Sequence, residues 1–296
     1  MQIWSEDTAN QWRSHYDEAA AYWAKWADQL AEQQDRVNLG LLMAAGAKPG
    51  TKLLDLASGT GEPGMTASRL VGAEGEVTAT DISAPMLAAL SERIARQGLT
   101  NLHCQLADME QLPFADGSFD AVTCRYGLMY ARDPARVVSE AARVVRPGGR
   151  VAFMVWGPEQ NNNLLFHGLR AANEFLGKPI PEDAFAIAPR LAEPGLVSGL
   201  MTSSGLQDAS EQEIVVEPKI KVGISFWAPL LEMNAAHVWN GLNAEQRKAV
   251  HQAVARAYEP FRIGEHYVLK THMRIISGRR PAADTPAAPA RSPQHE

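Results

Sequence analysis

One stretch constrains this chain more than any other: from Lys52 to Trp156, short apolar runs alternate with helix-forming segments. Lys52–Leu56, Glu76–Asp81, Leu102–Leu106, Phe119–Cys124 and Arg150–Trp156 have strand lengths and strand residues. Pro63–Val71, Ala84–Gln97 and Pro134–Val145 read as helices. Such alternation predicts parallel strands joined by helical crossovers, and so a doubly wound α/β sheet covered on both faces. Ser83 supplies an N-cap, and Pro85 falls in the first turn of the second helix, where its missing N–H is not needed.

The turn from the first strand into the first helix reads Ala57-Ser58-Gly59-Thr60-Gly61-Glu62-Pro63-Gly64, with glycines at a G-x-G-x-x-G spacing. Glycine permits a tight turn and brings bare backbone close to a ligand. Free N–H groups at the following helix start favour a carboxylate or phosphate. Asp81 closes the second strand about twenty residues further on, where a carboxylate can accept from a ribose diol. This pair fits a nicotinamide dinucleotide as well as an S-adenosyl cofactor.

Further residues separate the two. Asp108 follows the third strand and is placed to accept from an adenine amino group, with Met109 to pack the ring. Leu112 to Asp120 forms a turn into the fourth strand, and Val144 to Arg150 a Pro-Gly-Gly turn before the fifth. As an ensemble, these features resemble the class I S-adenosyl-L-methionine-dependent methyltransferases, over roughly Thr51 to Trp156. Asp55 to Gly61 matches the glycine-rich first motif, Asp81 and Asp108 the acids after the second and third strands. Phe119-Asp120-Ala121-Val122 and Arg146-Pro147-Gly148-Gly149 match the later signatures. Within the family the chain is similar to the small-molecule branch of the ubiquinone/menaquinone-biosynthesis type.

The resemblance implies a Rossmann-like, seven-stranded, mostly parallel sheet with an antiparallel last strand, and S-adenosyl-L-methionine as cofactor. Glu211–Glu217 and Tyr267–Ser277 would be the sixth and seventh strands. Backbone of Ala57, Ser58, Gly59, Thr60 and Gly61 would hold the methionyl part. Asp81 would take the ribose, Ile82 and Met86 would lie beside the adenine, and Asp108 and Met109 would address it. Arg125 would face the methionyl end or the substrate. The aromatic N-terminal segment resembles a lid, with Trp23 and Trp26 closing over the cofactor; ordinary helix packing explains the two tryptophans equally well.

The expected organisation is a helical lid over 1–50, the cofactor-binding core over 51–156, substrate-side helical insertions with the last two strands over 157–278, and a disordered Pro- and Ala-rich tail over 279–296. In the lid, Trp12, Tyr16, Trp23 and Trp26 follow a helical stripe, read as part of two helices between Thr8 and Ala47. In the insertions, Asn161–Leu176, Glu193–Ser204, Phe226–Asn240 and Ala244–Tyr258 read as helices and Pro179–Pro194 as a loop.

A formal net charge of -6 does not point to nucleic acid or an anionic membrane as partner. No apolar run approaches the ~20 residues that span a bilayer. Met1 to Asp7 lacks the basic and apolar parts of a signal peptide, so a cytoplasmic setting is expected. Cys104 and Cys124 lie alone in apolar runs, so neither a disulfide framework nor an arsenite-type thiol site is indicated, and no metal site is expected. Cys124-Arg125-Tyr126-Gly127 is neither the Asn/Asp-Pro-Pro run of amino-methylating DNA enzymes nor a carboxylate set for catechol-type magnesium.

What remains is in-line methyl transfer to O, N or C of a small aromatic or polyketide-like acceptor. No catalytic residue is assigned. His167, one helical stretch after the fifth strand, is the leading candidate base. Tyr126, Tyr130, His237 and His266 are weaker, and Tyr126, Tyr130 and His167 are candidate substrate contacts. An NAD(P)-dependent oxidoreductase on the same fold and a non-catalytic SAM-fold binding protein are the alternatives.

Overall fold

The computed structural model describes residues 6–282, with side chains from residue 12 onward except at position 183. It opens on one helix, α1 (Glu6–Ala44), of 39 residues. The expected pair of helices is corrected: Ala-rich sequence runs from Thr8 to Asn38 with neither Gly nor Pro to interrupt it. At a rise of about 1.5 Å per residue, α1 is roughly 58 Å long, enough to cross a whole domain. Leu41 and Leu42 bury its C-terminal end in the core.

The core follows as β1 (Lys52–Leu56), α2 (Gly64–Val71), β2 (Glu76–Asp81), α3 (Ala84–Gln97), β3 (Leu102–Leu106), β4 (Phe119–Arg125), α4 (Pro134–Val144) and β5 (Val145–Trp156). The Pro-Gly-Gly turn is looped out inside β5: Phe119 pairs Val145, and Ala121 next pairs Arg150. Beyond Trp156 come α5 (Asn163–Phe175), α6 (Glu182–Ile187), α7 (Leu196–Ser203), β6 (Gln207–Val216), β7 (Lys219–Lys221), α8 (Trp227–Asn234), α9 (Ala236–Trp239), α10 (Ala244–Tyr258), β8 (Arg262–Ile263), β9 (His266–Val268) and β10 (Thr271–Arg279).

The main sheet has seven strands in the order β3-β2-β1-β4-β5-β10-β6. β1 to β5 are parallel, and β10, the last strand of the chain, runs antiparallel to both β5 and β6. Adjacent residues of the central strands serve opposite faces. Leu53, Ala121 and Met154 pack with α1, α2 and α3, whereas Leu54, Val122 and Phe153 pack with α4 and α7. A separate apolar cluster joins α5, α8 and α10 around Phe166, Trp227 and Tyr258.

Several expectations are corrected outside the core. Pro179–Pro194 contains α6, whose Phe185 is buried in that cluster, with Pro181 just ahead of the first turn. The helix expected over Phe226–Asn240 breaks at Ala235. The strand expected over Tyr267–Ser277 divides into β10 and into β9, which pairs β7 and β8 in a small second sheet. The tail does not begin at residue 279: Arg280 donates to the Arg143 and Val145 carbonyls at 2.6 and 2.7 Å. The rest of that expected tail, from residue 283, lies outside the described residues. Among the described residues no helix is long and apolar enough to cross a membrane.

Candidate active site

Parallel strands deliver their C-terminal loops to one edge, and here the loops after β1, β2 and β4 meet. The glycine loop needs its glycines for two different reasons. Gly61 has φ +124, and a Cβ there would lie 2.5 Å from Leu90 Cδ1. Gly59 has φ +52 but faces open space, so its backbone stands bare. Gly127 lets the loops after β1 and β4 touch, since a Cβ there would sit 2.4 Å from Ala57 Cβ.

Asp81 is clamped by backbone. Gly59 N–H donates to its Oδ2 at 2.8 Å and Ser83 N–H to its Oδ1 at 2.9 Å. Burial pushes its pKa up, against the pull of these bonds. Ser83 caps α3 and donates to Asp17 of α1 at 2.5 Å, which ties the lid to the Asp81 loop. Beneath the glycine loop, Asp55 is fully buried. Thr123 donates to its Oδ1 at 2.8 Å, its Oδ2 has no partner, and burial pushes its carboxyl up to about 7.

Arg93 was not singled out from sequence, yet it joins three elements. Only 3% exposed, it donates to the Thr60 carbonyl at 2.5 Å and to Asp28 of α1 at 2.9 and 3.0 Å. Its one sequence signal is an arginine between Leu90 and Ile94 on the apolar face of α3.

The sheet edge and α1 enclose a cavity of about 1440 Å³. Every expected cofactor residue except Gly61 lines it: Trp23, Ala57, Ser58, Gly59, Thr60, Asp81, Ile82, Met86, Asp108, Met109 and Arg125. Gly61 instead packs on Leu90 and Met65 behind the wall. Asp108 accepts from Glu110 N–H at 2.8 Å. Ile82 is 42% exposed, an apolar surface left for a ligand. Trp26 also lines the cavity, but its indole N–H donates to Glu232 of α8 at 2.6 Å, beside Lys25 at 2.7 Å, so it docks the lid.

The opposite half of the cavity is apolar and aromatic, with Phe166, Leu169, Phe185, Phe226, Leu230 and Met233 in its wall. Tyr130, also in the wall, packs against Trp12 and Tyr16 of α1, with ring centroids 5.3 and 5.4 Å apart. Tyr126 stacks on Trp156 at 4.0 Å, and burial pushes its phenol up to about 12. His15 and His237 face each other at 5.8 Å, and burial, then His237, pulls His15 down to about 4.

His167 is elsewhere, and its reading as the base is corrected. Leu165 and Leu169, four apart, turn one side of α5 into the cavity, and His167 faces α10, where its Nε2 meets the Ala257 carbonyl at 2.8 Å. His266 sits exposed on β9, away from the wall. The wall residues missed from sequence, His15 and Glu62 among them, come from segments that only folding brings together. Among the described residues, no group of three or more His, Cys, Asp or Glu side chains is placed to hold a metal ion.

Comparison with known proteins bears on this cavity. A methyltransferase-domain family model matches residues 54–153. An uncharacterized protein of Mycobacterium tuberculosis is 34% identical over 192 residues, 63% of this chain and 68% of that protein. A ubiquinone/menaquinone biosynthesis C-methyltransferase of Shewanella halifaxensis is 37% identical over 120 residues, 40% of this chain. That match spans 48% of the relative, about half its length. Among solved structures, phosphoethanolamine N-methyltransferase 2 of Haemonchus contortus, in complex with S-adenosyl-L-methionine, superposes with a TM-score of 0.53 at 16% identity, over 83% of this chain and 52% of that one. At that identity the likeness speaks to the fold.

Proposed function

The chain belongs to the class I S-adenosylmethionine-dependent methyltransferases, and from that premise we propose that it methylates a small, largely apolar acceptor of aromatic or polyketide-like type. Membership removes the oxidoreductase alternative. The observation that carries the acceptor reading is the continuity of one cavity, polar and backbone-lined at Gly59 and Asp81, apolar and aromatic from Phe166 to Met233. A cavity of this kind favours ligands whose bulk is apolar and whose few polar groups fix orientation.

The residues present fit the cofactor. Gly59 leaves a bare cradle, Asp81 offers a carboxylate held in place by two N–H groups, and Ile82 offers apolar surface beside Met109. When bound, S-adenosyl-L-methionine supplies a methyl group already activated on a sulfonium. In this reading Asp81 takes the ribose hydroxyls, Ile82, Met86, Asp108 and Met109 bracket the adenine, and the Ala57–Gly61 backbone with Arg125 holds the methionyl end. Trp23 closes over them from α1.

The chain's remaining tasks are to align the acceptor with the methyl group, to exclude water and to take away a proton. Alignment falls to the aromatic wall, including Tyr126 and Tyr130. In this reading His15, held uncharged by burial, accepts a hydrogen bond from the acceptor's O–H or N–H, and His237 across from it at 5.8 Å takes the proton. Isotope-labelled methyl transfer to a panel of phenols, quinols, amino acids and phosphobases tests the acceptor class. Label in the phenols and quinols is the expected result. Label only in the amino acids or phosphobases overturns it.

A further inference from the structure

Glu62 ends the glycine loop, and its side chain is only 8% exposed. Its Oε2 is well served, accepting from Asn38 Nδ2 of α1 at 3.2 Å and from Thr66 Oγ1 and N–H at 2.8 and 3.4 Å. These bonds fix the carboxylate between the lid and α2. Its Oε1 is buried and has no hydrogen-bond partner, and Arg93 Nη2 is 4.0 Å away. At that distance the Arg93 guanidinium offers charge but no hydrogen bond, and three of its N–H groups already serve Asp28 and Thr60. A buried carboxylate oxygen without a donor is costly, and a ligand that brings one recovers the cost.

Two more unmatched atoms lie close by. Gln34 Oε1, one turn before Asn38 on α1, is a buried acceptor with no donor. Arg125 Nε is a buried donor with no acceptor, and Arg125 Nη1 reaches the Glu62 carbonyl at 3.5 Å. Glu62, Gln34 and Arg125 all line the cavity. Two spare acceptors beside a spare donor are the complement of a zwitterion. An α-ammonium group offers N–H donors and positive charge, and an α-carboxylate offers acceptors.

Resting on the cofactor reading above, we infer that Glu62 receives the α-ammonium group of the cofactor's amino-acid end, with Gln34 of the lid helix as the second acceptor. Glycine loop and lid then read the same group from two sides. The pocket selects for a cofactor that carries a free amino group, and occupancy holds α1 down over the site.

Calorimetry on the full chain tests this with S-adenosylhomocysteine, its analogue lacking the α-amino group, and 5′-methylthioadenosine, which lacks the whole amino-acid end. Wild type should bind the deaminated analogue about 10- to 100-fold more weakly than S-adenosylhomocysteine, the range for a hydrogen bond to a charged group. Glu62→Gln should lose a similar factor for S-adenosylhomocysteine, and Gln34→Leu about 3- to 10-fold, on the scale of a neutral bond. Both variants should bind 5′-methylthioadenosine as wild type does, which also shows that they fold. Equal affinity of wild type for S-adenosylhomocysteine and its deaminated analogue overturns the inference, whatever the variants do. Binding of none of the three by wild type overturns the cofactor reading instead.

Discussion

The two halves of the cavity are built in opposite ways. The half we assign to the cofactor is made of loops at the ends of neighbouring strands, and its parts hold one another: Gly59 N–H donates to Asp81, Ser58 N–H to the Thr80 carbonyl, and Gly127 lies against Ala57. The half we assign to the acceptor is walled by segments far apart in sequence, docked on one another beside it where Tyr22 of α1 donates to Asn240 at 2.6 Å, 218 residues away, and Lys25 reaches Glu232 of α8. A binding site whose geometry comes with the sheet can keep its ligand while the distant half is free to change its walls. That division suits a family with one cofactor and many acceptors.

The comparison can be broken most forcefully in the glycine loop. Gly61→Ala should cost about 2–5 kcal/mol of stability, from overpacking against Leu90 and a strained φ together. Gly59→Ala should cost about 1 kcal/mol, because its φ is left-handed but its surroundings are open. Urea denaturation measures both. Equal losses would mean that the two glycines do not divide the work as described. Next, Asp81→Ala should weaken S-adenosylhomocysteine binding by about 1.5–3 kcal/mol, as for a lost hydrogen bond to a charged group. Unchanged affinity would take Asp81 out of the site.

A pH series probes the floor of the cofactor half. Asp55 has a folded pKa of about 7 against an ordinary value of 3.8. The folded state therefore holds this proton more tightly than the unfolded one. Stability from this group is complete below the ordinary value and is lost as pH rises through the folded one, by up to about 1.4 kcal/mol per pH unit. Relative to Asp55→Asn, wild type should lose stability between about pH 4 and 7 and level off above. A parallel profile for the two proteins would show that folding does not raise the Asp55 pKa. The smallest expected effect lies in the acceptor half. Glu232→Gln loosens Lys25 and Trp26 and should cost about 1 kcal/mol, seen as faster hydrogen exchange along α1 with S-adenosylhomocysteine affinity kept. Unchanged exchange in α1 would show that the lid is not held there.

The same division decided what could be read from sequence. In the core, β1, β2, β3 and α3 begin and end at the expected residues, because apolar runs, the Ser83 cap and Pro85 act locally. Two helices were expected where α1 is one, although the absence of any breaker before Gly40 was there to be read. The small sheet was not legible, since strands of two or three residues carry too little periodicity to stand out. His167 was placed by its distance from a strand, whereas what counts is the face of α5 it occupies, and that is set by packing on α10. His15 and His237 meet only because α1 crosses α9, a contact that no local pattern announces.

The central claim, that the Gly59–Asp81 end of this cavity is an S-adenosylmethionine site, is tested most directly by titrating the full chain with S-adenosylhomocysteine and with NADH in a calorimeter. One-site binding of S-adenosylhomocysteine with no heat from NADH is the predicted result, and binding of NADH with no response to S-adenosylhomocysteine would contradict it.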